Sequence, residues 1–468
     1  MRHTPLYLFV LLLFAHTLPA QTTQSEKKTD SITRLMIRYL NEAKIDSAYN
    51  LWGEKAKVDF TPEVWRNIYK TNIQAYVPFR DLRFVESREG TNLYTAQSIV
   101  PLNVFSILDE KDKLDGFLFR PVPKESEAAY KATVLSDNPL KSHLDSIVEA
   151  AVRPYINQKG NVSLCAGVHY KGQDFYYNYG LPRLDADTLP DNKLVYEIGS
   201  ISKTFTGTLL AMAIIQKKVS LDQPITSFLP DSVAANPALK GITFKHLASH
   251  TSGFPTLPSN LDLKRNEQPY ENYDLVHLFS YLKTATPSTA PGKVFAYSNF
   301  GFGLLGVLLE RVYGMSYAAL LSKYITGPLK MNYTGITVDA AAAQGYDGAL
   351  KPVDVWDFNS LKSAGAIKSN TADLLKYAKL QLEQGKDPLH QAIALAHRPT
   401  FDDGTTKIGL AWFRFQHKDE LIFHNGGTGG CRSFLMADTA SNTALVLLVN
   451  SVNFADAVGV QIVGNLKK

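Results

Sequence analysis

Ser200-Ile201-Ser202-Lys203 opens an apolar run through Leu209, Leu210, Ala213 and Ile214 whose spacing is helical. Three-residue spacing on a helix puts the Ser200 hydroxyl and the Lys203 amine on one face, within reach of each other. A serine hydroxyl is a poor nucleophile until a neighbouring base takes its proton. A desolvated lysine can be that base, because burial lowers its pKa. The helix start also leaves the Ser200 backbone N–H among the unsatisfied donors of the first turn, available to a developing oxyanion. Spacing alone is a weak signal, since Ser25…Lys28 and Ser280…Lys283 repeat it. A helix start with an exposed lysine accounts for any single match.

The company that Ser200 keeps along the chain changes that reading. Tyr297-Ser298-Asn299 lies within Pro291-Gly292-Lys293-Val294-Phe295-Ala296-Tyr297-Ser298-Asn299-Phe300-Gly301, just before the helical Leu304-Leu305-Gly306-Val307-Leu308-Leu309. His424-Asn425-Gly426-Gly427-Thr428-Gly429-Gly430 follows an expected strand. Tyr-x-Asn also occurs at Tyr176 and Tyr270, so it too needs its context. With these elements in this order, the chain resembles the serine β-lactamase and penicillin-binding-protein superfamily, in its class C β-lactamase, D-peptidase and esterase branch. There the three elements are S-x-x-K, Y-x-N and K-T-G or H-x-G. Leu247-Ala248-Ser249-His250-Thr251-Ser252-Gly253-Phe254-Pro255 and Gly327-Pro328-Leu329-Lys330-Met331 look like further hallmarks of the branch, and together they cover about residues 138 to 468.

The resemblance implies an antiparallel sheet flanked by helices, with an all-helical subdomain. It implies that Ser200 is acylated, that Lys203 is its base, and that Tyr297 relays a proton to the leaving group. Asn299 would hold Lys203 and the substrate amide, and the N–H groups of Ser200 and Gly427 would form the oxyanion hole. Gly426 and its neighbours fit a substrate lying against a strand edge, where side chains would be in the way. No metal and no organic cofactor are implied. The substrates of such a site are small molecules or peptides: D-amino-acid peptides of the cell wall, small esters or amides, and β-lactams.

His424 stands where the lysine form has a permanent cation. Histidine is only partly charged near neutral pH, so binding of an anionic substrate should weaken as pH rises through about 6.5. Arg432 reads as a solvated surface residue near that position, His250 as a buried histidine bracing a loop, and His169 and His417 as ordinary strand and turn residues. Cys431 reads as a small core thiol. Gly-x-Ser-x-Gly, His-Glu-x-x-His and P-loop motifs do not occur, which disfavours an α/β-hydrolase, a metallohydrolase and a nucleotide-binding protein. Two alternatives stand beside an acyl hydrolase of broad type: a β-lactamase proper, and a non-catalytic receptor that keeps the pocket to sense a cell-wall fragment.

Outward from the motifs, Asn138-Pro139 reads as the start of a helix stopped by Pro154, and Val162–Tyr170 with Asp174–Tyr179 as a hairpin. Ile408–Phe415, Leu421–Phe423, Ser433–Ala437 and Ala444–Val449 read as strands and Ala455–Leu466 as a helix packing back. The sheet would then draw its strands from both ends of a domain spanning 138–468. The Pro- and charge-bearing stretch 122–137 reads as a linker. Before it, residues 31–121 give helices from Ser31, at Asp46–Trp52 and at Pro62–Tyr76. Strands follow at Leu82–Glu86, Leu93–Val100, Asn103–Leu108 and Leu114–Arg120. Helices followed by strands suggest a small α+β domain, and its pattern resembles the NTF2-like kind. Residues 21–30 read as a flexible polar tail.

Met1-Arg2-His3, the apolar Leu6–Ala15 and the small-residue site ending at Ala20 read as a signal peptide over 1–20 and hence an exported protein. That run falls short of the roughly 20 residues of a membrane span, so no integral segment remains after cleavage. With 468 residues, 45% hydrophobic and 20% charged, the chain holds ample core for two domains. A net charge of +5 over that length gives no reason to expect a nucleic acid partner. Two cysteines, Cys165 and Cys431, are too few for a disulfide framework. Oligomeric state has no signature here.

Overall fold

The computed structural model describes residues 23–59, 62–69, 73–88, 90–98, 101–121, 134–262, 267–415 and 418–467. The expected signal peptide, most of the expected linker, and His417 lie outside these residues. The chain divides into two compact units, 1–126 and 127–468.

In the first unit, helix α1 (Thr23–Asn41) and the short helices α2 (Ile45–Tyr49), α3 (Glu54–Asp59) and α4 (Pro62–Ile68) precede four strands. The strands β1 (Arg80–Arg88), β2 (Thr91–Gln97), β3 (Pro101–Leu108) and β4 (Leu114–Pro121) pair in sequence order as an antiparallel meander. Alternation puts Leu93, Thr95 and Gln97 on one face of β2 and buries Asn92, Tyr94 and Ala96 on the other, against Met36, Leu40 and Val104. The expected flexible tail is a correction: α1 begins at Thr23, not near Ser31. Its polar first turns continue a helix whose buried Thr33 bonds Ser106 at 2.7 Å, and Lys28 meets Asp112. Polar composition could not distinguish an exposed helical turn from a tail. The third expected helix ends at Ile68, with a separate 3-10 turn at Gln74–Tyr76.

The second unit opens with residues 134–137, read from sequence as linker, lying along an edge strand instead. Gly180 N–H donates to Leu135 O at 2.9 Å, and Asp137 accepts from the backbone and side-chain amides of Asn178, both at 2.7 Å. An open sheet edge offers unpaired backbone groups, and this segment satisfies them. Helix α5 (His143–Ile156) starts later than Asn138-Pro139 suggested, because Ser142 and Asp145 form a capping box, and it carries Pro154 in its last turn.

The strands β5 (Ser163–Tyr170), β6 (Gln173–Gly180), β7 (Tyr196–Glu197), β8 (Gly345–Tyr346), β9 (Pro352–Val353), β10 (Lys368–Ser369), β11 (Phe401–Asp402), β12 (Lys407–Ile408), β13 (Phe413–Phe415), β14 (Lys418–Gly427), β15 (Arg432–Asp438) and β16 (Thr443–Val449) follow. The main sheet is antiparallel, in the order β11-β12-β13-β14-β15-β16-β5-β6, so early and late strands meet where β16 pairs with β5. The expected strand Ile408–Phe415 is broken in two. Between its halves the backbone turns to bond elsewhere, Leu410 N–H to Ala396 O and Ala411 N–H to Ala248 O, both at 2.9 Å. One face of the sheet carries α5 and the helix Asp456–Asn465, the other the larger helical core around α6 (Ser202–Ile215). Among the described residues no single helix is long and apolar enough to cross a membrane.

The Asp137–Asn178 contact yields a test. Asp137→Ala should destabilise the full chain by about 1–2 kcal/mol, the usual worth of hydrogen bonds to a charged group at an accessible place. Urea unfolding checks it, and an unchanged midpoint would mean that the edge segment adds nothing.

Candidate active site

Ser200 sits where β7 gives way to α6. Gly199 holds φ +48°, a left-handed backbone that glycine adopts at least cost, and Gly199–Ile201 forms a 3-10 turn before α6 begins at Ser202. Ser200 thus precedes the α-helix instead of lying within it. The turn leaves Ser200 partly exposed, while Lys203, one turn on, is 0% exposed. Helix α6 is buried on nearly every side, and its threonines remain satisfied: Thr206 bonds Ser202 O, Ser363 O and the Tyr317 hydroxyl.

The amine of Lys203 has three partners. Its Nζ lies 2.9 Å from Ser200 Oγ, 2.8 Å from Asn299 Oδ1 and 2.7 Å from the carbonyl oxygen of Ala364. It also stands 4.9 Å from the ring centre of Tyr297 and 5.8 Å from that of Phe302. Burial pushes its pKa well below the ordinary lysine value, and among the described residues no carboxylate offsets that. The Tyr297 phenol, hydrogen-bonded to Ser200, is pushed upward by burial and so keeps its proton at neutral pH.

Tyr297-Ser298-Asn299 is placed by the loop that follows the helix Phe244–Ala248. Ser298 caps the helix Asn299–Tyr313, its Oγ accepting from Gly301 N–H at 2.9 Å and donating to Pro255 O at 2.6 Å. His250 Nδ1 accepts from the Ser298 N–H at 2.9 Å, and its ring stacks on Tyr297 with centres 4.3 Å apart. The histidine is fully buried and braces the loop, as expected.

The end of β14 closes the site from the other side. A Cβ at Gly426 would stand 2.1 Å from Ile198 O and 2.9 Å from Ser200 N, and one at Gly199 would stand 2.5 Å from Gly427 N. Only glycine lets the two backbones approach this closely. The structure therefore brings together Ser200, Lys203, Tyr297, Asn299, Gly426 and Gly427. Of the other spacing matches, Ser280 and Lys283 sit on the helix Leu275–Thr284, and Ser25 and Lys28 on α1 of the first unit.

His424 overturns one expectation. It is 0% exposed, its Nδ1 lies 2.6 Å from Asn425 O, and Phe413 packs 5.4 Å from its ring. Burial, helped by nearby Lys203, lowers its pKa to about 3. It is a neutral imidazole across the whole neutral range and presents no cation to a substrate. Arg432 is also a correction. It is buried, not solvated, and donates from Nη1 to Thr428 O at 2.6 Å and Cys431 O at 2.7 Å. Cys431 and Cys165 are free, buried thiols. His169 is a strand residue paired with Asp174 at 2.6 Å.

Sequence reasoning missed three neighbours of the site. Ala364 contributes only a carbonyl, which every residue has. Tyr270, noted only for its Tyr-x-Asn, forms an aromatic wall with Trp356 and Phe358, at ring separations of 5.6 and 4.9 Å. Glu197 carries no motif signal, yet its carboxylate is buried beside the turn. Among the described residues no group of three or more His, Cys, Asp or Glu is placed to hold a metal.

An antiparallel sheet backed by helices, with a serine at the turn into a core helix and a buried lysine on that helix, is the architecture of the serine β-lactamases. Solved structures agree on the fold. A class C β-lactamase superposes with TM-score 0.63 at 24% identity, over 69% of this chain and 97% of that one. The β-lactamase/D-alanine carboxypeptidase from Pseudomonas syringae gives 0.62 at 23%, over 70% and 99%. A β-lactamase of Pseudomonas fluorescens is 29% identical over 350 residues, covering 66% of this chain and 94% of its own. One from Escherichia coli K12 is 28% identical over 275 residues, 58% of this chain and 70% of its own. The Beta-lactamase family model matches residues 148–462, and the chain belongs to that family, as a serine hydrolase of the β-lactamase and penicillin-binding-protein superfamily.

His424 has a consequence for acid stability. Its folded pKa is depressed, so below about 6.5 the unfolded chain takes a proton that the native state refuses. Stability should fall as pH drops from 6.5 towards 3, by at most about 1.4 kcal/mol per pH unit for this group. His424→Asn should show a shallower slope in urea midpoints between pH 7 and 4. Equal slopes would remove His424 as a source of acid sensitivity.

Proposed function

We propose that this serine hydrolase is exported and works through a covalent acyl ester on Ser200, with a peptide, ester or amide as substrate. The observation that carries the reading is the set of three contacts around Lys203 Nζ. A neutral amine has two N–H groups and one lone pair. Asn299 Oδ1 and Ala364 O take the two hydrogens, which leaves the lone pair facing the Ser200 hydroxyl.

In the forward step Ser200 Oγ attacks the substrate carbonyl carbon while its proton passes to Lys203. The N–H groups of Ser200 and Gly427 stabilise the oxyanion. Tyr297, kept protonated by burial, donates to the leaving group as the carbonyl re-forms and regains its proton from Lys203. Water then hydrolyses the acyl ester by the reverse sequence. Asn299 fixes Lys203 and offers its amide to the substrate.

The neutral His424 supports uncharged acyl substrates over ones that need a cation at that position. Export is supported by the Met1–Ala20 pattern. For the first unit, helices packed on a four-stranded meander support an NTF2-like reading.

A fluorophosphonate probe followed by intact-mass measurement tests the assignment. Ser200→Ala should take no label, and Lys203→Ala should label on the order of 10²- to 10⁴-fold more slowly, the usual share of a general base. Lys203→Arg should be as poor, since a guanidinium does not give up its proton. An adduct persisting in Ser200→Ala sinks the reading.

A pH series separates the role of His424 from that of Lys203. Neutral-ester hydrolysis should rise with pH as Lys203 deprotonates. The acylation ratio of penicillin to a neutral ester should stay flat from pH 5.5 to 8.5. A ratio falling through about 6.5, the unperturbed histidine pKa, would restore His424 as a charge reader.

A further inference from the structure

We propose that Glu197 is a positioning residue of the acyl-transfer site, fixing the turn after β14 so that the Gly427 N–H faces the carbonyl oxygen of the substrate. The inference rests on the acyl-serine reading above and goes beyond it by naming what aims the oxyanion donor.

Glu197 lies three residues before Ser200, at the end of β7, with 8% of its surface exposed. Its Oε2 accepts from the Thr428 hydroxyl at 2.9 Å, and its Oε1 accepts from the Trp356 backbone N–H at 2.9 Å. Trp356 in turn lies against the next residue of the same turn, since a Cβ at Gly429 would stand 2.8 Å from its indole Nε1. Glu197, Thr428, Gly429 and Trp356 therefore close a ring of contacts. The backbone of the turn is held separately. Thr428 N–H donates to Cys431 O at 3.0 Å, and Arg432 Nη1 donates to the carbonyls of Thr428 and Cys431.

The segment from 197 to 200 thus touches the end of β14 at three successive levels. Glu197 binds Thr428, Gly199 backs onto the Gly427 backbone, and the Ser200 nitrogen faces Gly426. A carboxylate is costly to bury, and this one retains its place because both oxygens accept hydrogen bonds from the parts it joins. Lys368, opposite it in the β10–β7 pair, and Arg432 are the cations near it. No step of the acyl transfer needs it as acid or base, so its effect is exerted through Thr428.

The test uses the full chain as wild type, Glu197→Gln, Glu197→Ala, Thr428→Val and the Glu197→Ala/Thr428→Val double variant. It reads kcat and KM for a neutral p-nitrophenyl ester and the fluorophosphonate labelling rate, each per folded protein by circular dichroism. Glutamine can accept from Trp356 and donate to Thr428 Oγ, so Glu197→Gln should stay within about threefold of wild type. Glu197→Ala and Thr428→Val should each lose on the order of 10- to 100-fold in kcat, the scale of a displaced oxyanion donor, with KM little changed. The double variant should be no worse than Glu197→Ala, because both break one link. The pH midpoint of kcat should not move in any of them, since the contacts of Lys203 are untouched.

Wild-type kcat in Glu197→Ala, or in Thr428→Val, overturns the proposal. So does a Glu197→Gln variant as poor as alanine. If Glu197→Ala fails to fold, Thr428→Val and Glu197→Gln decide alone. Labelled wild type with equally fast labelling of Thr428→Val overturns this inference and leaves the acyl-serine reading standing. An unlabelled wild type overturns both.

Discussion

A lysine amine held in an apolar interior without a carboxylate is the constraint on which the second unit depends. A charged ammonium there would face a desolvation cost of several kcal/mol, so the surroundings must suit the neutral form. Two carbonyl oxygens and one hydroxyl lie within hydrogen-bond reach of Lys203 Nζ, and the rings of Tyr297 and Phe302 stand beside it. The nearby histidines, His250 and His424, are themselves uncharged because burial lowers both pKa values. Among the described residues no charged side chain is thus set against the amine, and the central position of α6 makes that exclusion possible.

The second requirement is close approach of backbone to backbone. Three elements from distant parts of the sequence meet at Ser200: the turn before α6, the helix from Asn299, and the end of β14. Side chains at 199 and 426 would separate the first from the third by more than a hydrogen bond can span. The glycine run after His424 is therefore a packing condition. Arg432 and Glu197 are buried there because they hold the turn, Arg432 through the carbonyls of Thr428 and Cys431 and Glu197 through the Thr428 hydroxyl.

Much of this was legible in the chain because the relevant chemistry is written in residue type and spacing. Ser200 with Lys203, Tyr297 with Asn299, and the pair Gly426 and Gly427 each announce a capability, and their order fits one arrangement. What stayed hidden depends on what lies above or beside a residue. In sequence His424 reads as a charge facing the substrate and Arg432 as a solvated residue, and the cover of Phe413 and of the turn at 428–431 makes them interior. The carbonyl of Ala364 has no sequence signature at all. The helical start at Thr23 and the edge pairing of residues 134–137 were hidden for another reason. Polar stretches take their structure from the partner that they meet, and Ser106 and Asn178 lie far along the chain.

The pairing of β16 with β5 bears on the order in which the protein becomes active during its own synthesis. Residues 444–449 hydrogen-bond to residues 164–169, and β14, whose end packs against Ser200, is joined to β5 through β15 and β16. Contacts between segments so far apart in sequence form late, after a large loop-closure cost has been met. Ser200 and Lys203 therefore leave the ribosome well before the strand end that packs against Ser200. A chain cut short before Thr443 would hold β14 and β15 without the strand that joins them to β5, so the end of β14 would have no sheet to fix it against Ser200.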